Sequence, residues 1–395
     1  GIASDILFVY QGEMLSGLSI DKKQYPACPV PPRDVQADIS VMVMKGQGGY
    51  EITLDYRTDL YRAETARGLQ RMFVQVLGGM LTCATLREMT LVSESDLRLL
   101  ESFHGEELWY DKSKTVVDLF REQVKRTPEN RAVIYKDHTY TYAQLDDLTD
   151  RLAAYIAGFG IGREQAVSVL IPRSEYMAIA SLGVLKAGAA YQPLDPTYPR
   201  ERLAFMIADA EAQFLIADES LLSLVPDYHG YVLLTKDIPG LPQASQQPEQ
   251  PGPKDLFILL YTSGSTGMPK GCMLEHGNIA AFCHWYRSYY DLQPESCVAA
   301  YASYGFDAHM MDLYPALTTG ASSCIIEEAL RLDLGELNRY MESQNVTHAF
   351  MTTQIGRAFA TAMRSRTLKH LIMGGEALTP FAPEGSTVYY NIYGP

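Results

Sequence analysis

Apolar positions along the chain follow two rhythms, short alternating or continuous runs and stretches that repeat every three to four residues. Residues 39–45 and 50–56 read as strands on either side of the glycine-rich 46–49, which predicts a hairpin. Leu69, Met72, Phe73, Val76, Leu77, Met80 and Leu81 recur at helical spacing. They predict a helix with one continuous apolar face, its methionines and aromatics serving as core. Residues 93–115 are polar with mixed charge and read as a linker carrying a short helix. From Val116 onward a second rhythm sets in. A short strand pair precedes an amphipathic helix from about residue 143, then strand 166–171, helix 174–186 and strand 189–194. Strand, helix and strand joined by short turns indicate a parallel α/β sheet. The alternation continues through strands at 213–217, 231–234 and 256–260, and again near Val298, Ser323, His348, His370 and Val388. The Pro- and Gln-rich 240–254 reads as a surface loop.

Composition narrows the class. The chain has 395 residues, 47% hydrophobic and 20% charged, as expected of a globular protein with room for two or three domains. A net charge of -14 disfavours non-specific binding to nucleic acid or an anionic membrane, so neither is expected as a partner. The six cysteines show no CxxC spacing, which weakens metal-site and disulfide readings and favours a reducing cytoplasm. No apolar run reaches membrane-spanning length and no signal peptide opens the chain. It starts at Gly1 and stops on Tyr-Gly-Pro395, from which we expect a piece of a longer protein.

The stretch richest in chemistry is Tyr261-Thr-Ser-Gly-Ser-Thr-Gly-Met-Pro-Lys-Gly271, directly after the apolar run 256–260. Glycines let the backbone approach a ligand, and N–H groups beside hydroxyls can cradle phosphate oxygens. Lys270 adds a charge that can pair with phosphate. By itself such a cluster is also compatible with a flexible surface loop. It is not a Walker loop, which needs Gly-Lys followed by Ser or Thr, whereas here the order is Lys270-Gly271.

The whole string resembles the phosphate-binding signature of the adenylate-forming enzymes, which include acyl- and aryl-CoA synthetases and the adenylation domains of nonribosomal peptide synthetases. The resemblance implies ATP and Mg²⁺ as cofactors. Thr262 and Lys270 would act at the phosphates, with Ser263, Gly264, Ser265, Thr266 and Gly267 completing the loop. Leu185–Pro199, with its Leu-Asp-Pro and Tyr-Pro, is similar to the peptide-synthetase branch; bottom-up, it reads as a helix end and a proline-fixed loop that holds the fold.

Tyr304-Gly-Phe-Asp-Ala308 places Asp307 in an apolar context at the start of a helical stretch. A buried carboxylate there needs a partner, and a helix N-cap is the ordinary reading. The resemblance implies another role, receipt of an amino acid's α-ammonium group. Matched position by position, it makes Asp307, Ala308, Met311, Phe350, Ile372, Gly374 and Ile392 the substrate pocket, medium-sized and apolar, suited to leucine, isoleucine or valine. It assigns Gly375, Glu376, Asn391 and Tyr393 to the nucleotide, with Tyr393 stacking on adenine and Asn391 bonding its amino edge. No protein metal ligand is expected within the chain.

Residues 1–95 resemble the closing part of a condensation domain, of chloramphenicol-acetyltransferase-like fold, mainly through Tyr56–Tyr61. The family's paired histidines followed by Asp-Gly do not occur here, so this piece is expected to be catalytically silent. The resemblance thus implies three parts: 1–95 from a condensation domain, a 96–114 linker, and 115–395 as the large lobe of an adenylation domain. That lobe would carry mixed and parallel sheets flanked by helices. Its partners would be an amino acid, a carrier domain bearing phosphopantetheine outside this chain, and the remaining synthetase domains. An acyl- or aryl-CoA synthetase, or a catalytically incomplete domain platform, remains open.

Overall fold

The computed structural model describes residues 5–13, 18–25, 37–46, 49–105, 107–243, 248–262, 269–382 and 385–392. The chain divides into two compact units, 1–107 and 108–395, a division that falls inside the expected linker.

The first unit contains β1 (Ile6–Glu13), β2 (Leu18–Ile20), β3 (Lys23–Tyr25), β4 (Ile39–Gly46), β5 (Gly49–Tyr56), α1 (Ala63–Thr82) and α2 (Glu94–Ser102). β4 and β5 form the expected antiparallel hairpin, and β1 adds in parallel to β4. α1 covers the predicted helix, but its apolar stripe is not core. Met72 is 40%, Met80 60% and Leu81 88% exposed, and Ala66 is its one buried residue. A three-stranded sheet is too small to cover a helix of twenty residues.

The second unit runs α3 (Val116–Arg126), β6 (Arg131–Tyr135), β7 (His138–Thr141), α4 (Tyr142–Ala157), β8 (Ala166–Leu170), α5 (Tyr176–Lys186), β9 (Ala190–Leu194), α6 (Arg200–Asp209), β10 (Phe214–Ala217) and β11 (Tyr231–Leu234). It continues with β12 (Leu256–Thr262), β13 (Lys270–Glu275), α7 (His276–Tyr289), β14 (Cys297–Ala300), α8 (His309–Thr319), β15 (Ser322–Ile325), α9 (Leu334–Ser343), β16 (His348–Thr352), α10 (Thr353–Ala362), β17 (His370–Gly374) and β18 (Val388–Asn391).

These strands form two sheets. One has the order β11-β10-β8-β9-β12-β13, the other β18-β17-β16-β14-β15-β6-β7. Each is parallel except for one antiparallel edge, β13 on β12 and β7 on β6. The core cluster between them joins Val133 and Ile325 of one sheet to Val167, Phe214 and Phe257 of the other, through Val116, Leu145, Ile179, Ile279 and Leu313 on five helices. α5 is buried all round, from Met177 to Lys186, which explains its uninterrupted apolar sequence.

Capping fixes where the helices start. Thr115 accepts from Asp118 N–H at 3.2 Å while the Asp118 carboxylate accepts from Thr115 N–H at 2.9 Å, and Thr141 and Gln144 repeat this at α4. Strand alternation then sorts the side chains. On β16 and β17, Ala349, Met351, Leu371 and Met373 face α9 and α10, while Phe350 and Ile372 face the opposite way into a separate apolar cluster.

Candidate functional site

In open α/β sheets, ligands bind beyond the carboxyl ends of the strands. Here the segments leaving β8, β9, β14 and β15 meet at those ends. Arg173 follows β8, Asp195 and Tyr198 follow β9, residues 301–308 follow β14, and Glu328 follows β15. Arg173 Nε lies 3.3 Å from a Glu328 carboxylate oxygen, and the Ser303 hydroxyl donates to Asp195. β9 and β12 are neighbours in one sheet, so Thr262 leaves from the same edge as Asp195.

The sequence-predicted pocket residues come together. Met311, Phe350 and Ile372 are buried in one apolar cluster, with Ala308 and Ile392 half-buried against it. Phe350, Ile372 and Tyr390 are successive partners across β16, β17 and β18, and therefore share a face. Gly374 lies two residues beyond Ile372 on that face. A Cβ there would stand 2.7 Å from Ile392 Cγ1, so the glycine makes room for the isoleucine. Tyr286, Tyr290 and Val298 belong to the same cluster, as do Leu292, Ala302, Ala316 and Ala321. Sequence reasoning missed them because tyrosines on a helix read as ordinary core. The Tyr390 hydroxyl meets His370 Nδ1 at 2.9 Å, and its ring meets Tyr290 edge-on at 4.8 Å.

Asp307 departs from expectation. It is exposed, two residues ahead of α8, and its carboxylate makes no hydrogen bond or ion pair among the described residues. It is neither the buried carboxylate nor the cap that its apolar neighbours suggested, because the neighbouring Phe306 also points outward, 64% exposed. The buried carboxylate is Asp312, one turn into α8, which accepts from Ala302 N–H at 2.8 Å. Burial pushes its pKa up to about 8, against the opposing pull of that hydrogen bond and of Arg173. Asp195 goes the other way. Burial raises it, but hydrogen bonds from Ser303 and Thr197 outweigh burial and hold it below the usual carboxylate range. His309 Nδ1 sits 2.6 Å from Phe306 O, and burial lowers this imidazole to about 4, keeping it neutral.

Thr262 and Lys270 are paired across the β12–β13 hairpin, which brings them together at the end joined by residues 263–269. Both are exposed, and Lys270 makes no ion pair among the described residues. Ser263, Gly264, Ser265, Thr266 and Gly267 lie outside the described residues, as does Tyr393. Gly375 has φ +99°, a left-handed conformation that glycine adopts without strain. Next to it, the Glu376 carboxylate accepts from Gln354 Nε2 at 2.9 Å and its carbonyl from the Thr353 hydroxyl at 3.0 Å. Asn391 ends β18, exposed. Among the described residues no group of three His, Cys, Asp or Glu side chains is placed to hold a metal. A groove of 1120 Å³ between α6 and residues 224–231 contains none of the sequence-predicted site residues.

Comparison with known proteins gives a consistent set of likenesses. A family model described as "AMP-binding enzyme" matches residues 120–395. The chain is 33% identical over 402 residues to surfactin synthase subunit 1 of Bacillus subtilis (strain 168), covering 99% of this chain and 11% of that protein. It therefore spans about a tenth of that relative's length. The N-terminal subdomain of Klebsiella oxytoca NpsA, in complex with 3-hydroxybenzoyl-AMSN, is 27% identical with a TM-score of 0.62, over 70% of this chain and 69% of that one. The nonribosomal peptide synthetase FmoA3 in its AMPPNP-bound form shares the fold, with a TM-score of 0.79 at 19% identity, over 99% of this chain and 44% of that one.

Proposed function

The chain belongs to the AMP-binding enzyme family, and on that premise we propose that residues 108–395 activate an amino acid with ATP, giving aminoacyl-AMP and pyrophosphate, as part of a nonribosomal peptide synthetase. The observation that carries this reading is Asp307. It is an exposed carboxylate without a protein partner, and it directly precedes Ala308, which packs against an apolar cluster containing Met311, Phe350, Ile372 and Ile392. A carboxylate beside an apolar cluster suits a ligand with a cation at one end and an aliphatic side chain at the other. Leucine, isoleucine and valine fit that description. An apolar pocket separates neighbours differing by one methylene by only about 1–3 kcal/mol, so all three compete.

In this reaction a substrate carboxylate oxygen forms a bond to the α-phosphorus of ATP. The bond from that phosphorus to the α,β-bridging oxygen breaks, and pyrophosphate leaves. The carboxylate is already ionised, so no general base is needed. Catalysis is positioning and charge neutralisation. Lys270 and Thr262, at the loop end of the hairpin, face the phosphates, with Ser263, Gly264, Ser265, Thr266 and Gly267 between them in sequence. Gly375, Glu376, Asn391 and Tyr393 hold the nucleoside, Gly375 by letting the backbone approach the base. Mg²⁺ accompanying ATP would neutralise charge on the nucleotide's phosphates.

The aminoacyl group then passes to a phosphopantetheine thiol on a carrier domain, the acyl–phosphate bond breaking as AMP leaves. Residues 1–95 are the closing part of a condensation domain, and the whole works in the cytoplasm. No helix among the described residues is long and apolar enough to cross a membrane. A second reading, an aryl- or acyl-activating ligase, draws support from the 3-hydroxybenzoyl ligand of the Klebsiella subdomain.

A thermal-shift screen with non-hydrolysable sulfamoyl analogues of aminoacyl- and acyl-adenylates separates the two. Stabilisation by leucyl, isoleucyl or valyl analogues, lost in Asp307→Ala, is expected. A shift with 3-hydroxybenzoyl or 4-methylpentanoyl analogues alone would overturn amino acid activation.

A further inference from the structure

The turn that carries Asp307 is held by side chains from distant parts of the chain. Arg173, only 7% exposed at its side chain, donates from Nη1 to Ala300 O at 2.8 Å, and from Nη2 to Tyr301 O at 2.9 Å and to Ala302 O. One planar, permanently charged fork thus fixes three consecutive peptide carbonyls. The next residue, Ser303, donates its hydroxyl to Asp195 Oδ2. The other Asp195 oxygen accepts from Thr197 N–H at 2.9 Å and Thr197 Oγ1 at 2.7 Å, which fixes the carboxylate before it meets the serine. Tyr198, from the same loop, packs so closely on Gly305 that a Cβ there would overlap its ring, and the Arg202 guanidinium lies 3.9 Å from the ring centroid on that tyrosine. On the far side, His309 Nδ1 meets Phe306 O.

These anchors bracket Asp307 and do not include it. They grip 300–303 and 305–306, and the exposed 306–307 step rides on them. The apolar cluster takes Ala302 and Ala308 from this stretch, but most of it comes from α7, α8 and strands β14, β16 and β17. Loosening the turn should therefore move the carboxylate more than it moves the Met311, Phe350 and Ile372 part of the cluster.

We infer that Arg173, Asp195 and Ser303 are positioning residues for Asp307: without touching substrate, they set where its carboxylate stands and so set the selection for a ligand with a cation beside its reacting group. The inference rests on the reading of Asp307 given above, and its test keeps the two apart. Affinities of the leucyl and the 4-methylpentanoyl sulfamoyl-adenosine analogues, identical except for the amino group, are measured by calorimetry on the full chain. Their ratio isolates ammonium recognition. A charged hydrogen bond corresponds to a ratio of about 10- to 100-fold in the unmodified protein, falling to near unity in Asp307→Ala.

Ser303→Ala, Asp195→Asn and Arg173→Lys should each reduce the ratio by about fivefold or more, with 4-methylpentanoyl affinity held within about twofold. Ser303→Thr, which keeps the hydroxyl, should restore it. Urea midpoints establish which variants are folded, and Ser303→Ala, the smallest change, carries the test if the others unfold. An unchanged ratio in folded Ser303→Ala, or equal weakening of both analogues, overturns the positioning role. A ratio near unity in the unmodified protein overturns the reading of Asp307 itself, and this inference with it.

Discussion

Gly374 and Ile392 form a pair whose sizes compensate, and Gly374→Ala tests the pocket at its tightest point. The added Cβ would lie 2.7 Å from Ile392 Cγ1, 3.3 Å from Cδ1 and 3.2 Å from the Ile392 carbonyl oxygen. Carbon atoms in contact ordinarily sit about 3.5–4.0 Å apart, so the isoleucine must retreat by about an ångström. Its backbone cannot follow freely, because Ile392 N–H donates to Met373 O at 2.8 Å. The side chain therefore moves within the cluster that also holds Met311, Phe350 and Ile372. Overpacking of this kind costs about 1–3 kcal/mol, or roughly 5- to 150-fold if it falls entirely on a ligand that needs the space. Calorimetry should show the leucyl analogue weakened by about tenfold in Gly374→Ala, and a smaller alanyl analogue weakened less. Ile392→Ala combined with Gly374→Ala should recover most of the loss, with a coupling of about 0.5–3 kcal/mol across the double-mutant cycle. Unchanged affinity and stability in Gly374→Ala, or strictly additive effects in the double variant, would refute the close-approach argument.

Two further predictions concern stability. The Lys186 ammonium, fully buried, lies 2.5 Å from Asp146 Oδ1 and 2.8 Å from Asp150 Oδ1. Lys186→Met should lower stability in urea by about 3–5 kcal/mol, because Asp146 loses its counterion and Asp150 keeps only Arg121, 3.1 Å away, and adding Asp146→Asn should return much of it. The buried histidines His276, His309 and His348 are each lowered from 6.5 to about 4, chiefly by burial. Between those values the unfolded chain binds protons that the folded chain refuses. Stability therefore falls on acidification from pH 6.5 towards 4, by up to about 1.4 kcal/mol per unit for each histidine. Asp312, raised from 3.8 to about 8, works oppositely, since the folded state keeps a proton the unfolded chain releases. Urea midpoints at pH 5, 6 and 7 should rise with pH, and more steeply in Asp312→Asn; a flat profile would contradict the burial of these imidazoles.

The α/β alternation was legible because parallel strands buried on both faces are written as short continuous apolar runs. β8 and β10 were located within a residue of their ends, and the strand expected near Val298 is β14. The separation into two sheets was not legible, since it depends on crossovers such as the addition of β6 beside β15. β13 escaped notice because Lys270-Gly-Cys-Met-Leu-Glu275 is an almost wholly exposed edge with no alternation to betray it. The apolar positions that the resemblance assigned to a pocket are gathered by the structure into one cluster. The anchors of the Asp307 turn were not readable by any local rule. Ser303 meets Asp195 across 108 residues and Arg173 meets Ala302 across 129, so no spacing in the sequence connects them.

The proposed function requires a substrate with both an amino group and a carboxylate. The most direct measurement is exchange of labelled pyrophosphate into ATP, with leucine compared against 4-methylpentanoate, the same molecule without its amino group. The account predicts exchange with leucine, little with the des-amino acid, and loss of the leucine signal in Asp307→Ala. Equal exchange with both acids, insensitive to Asp307, would contradict it.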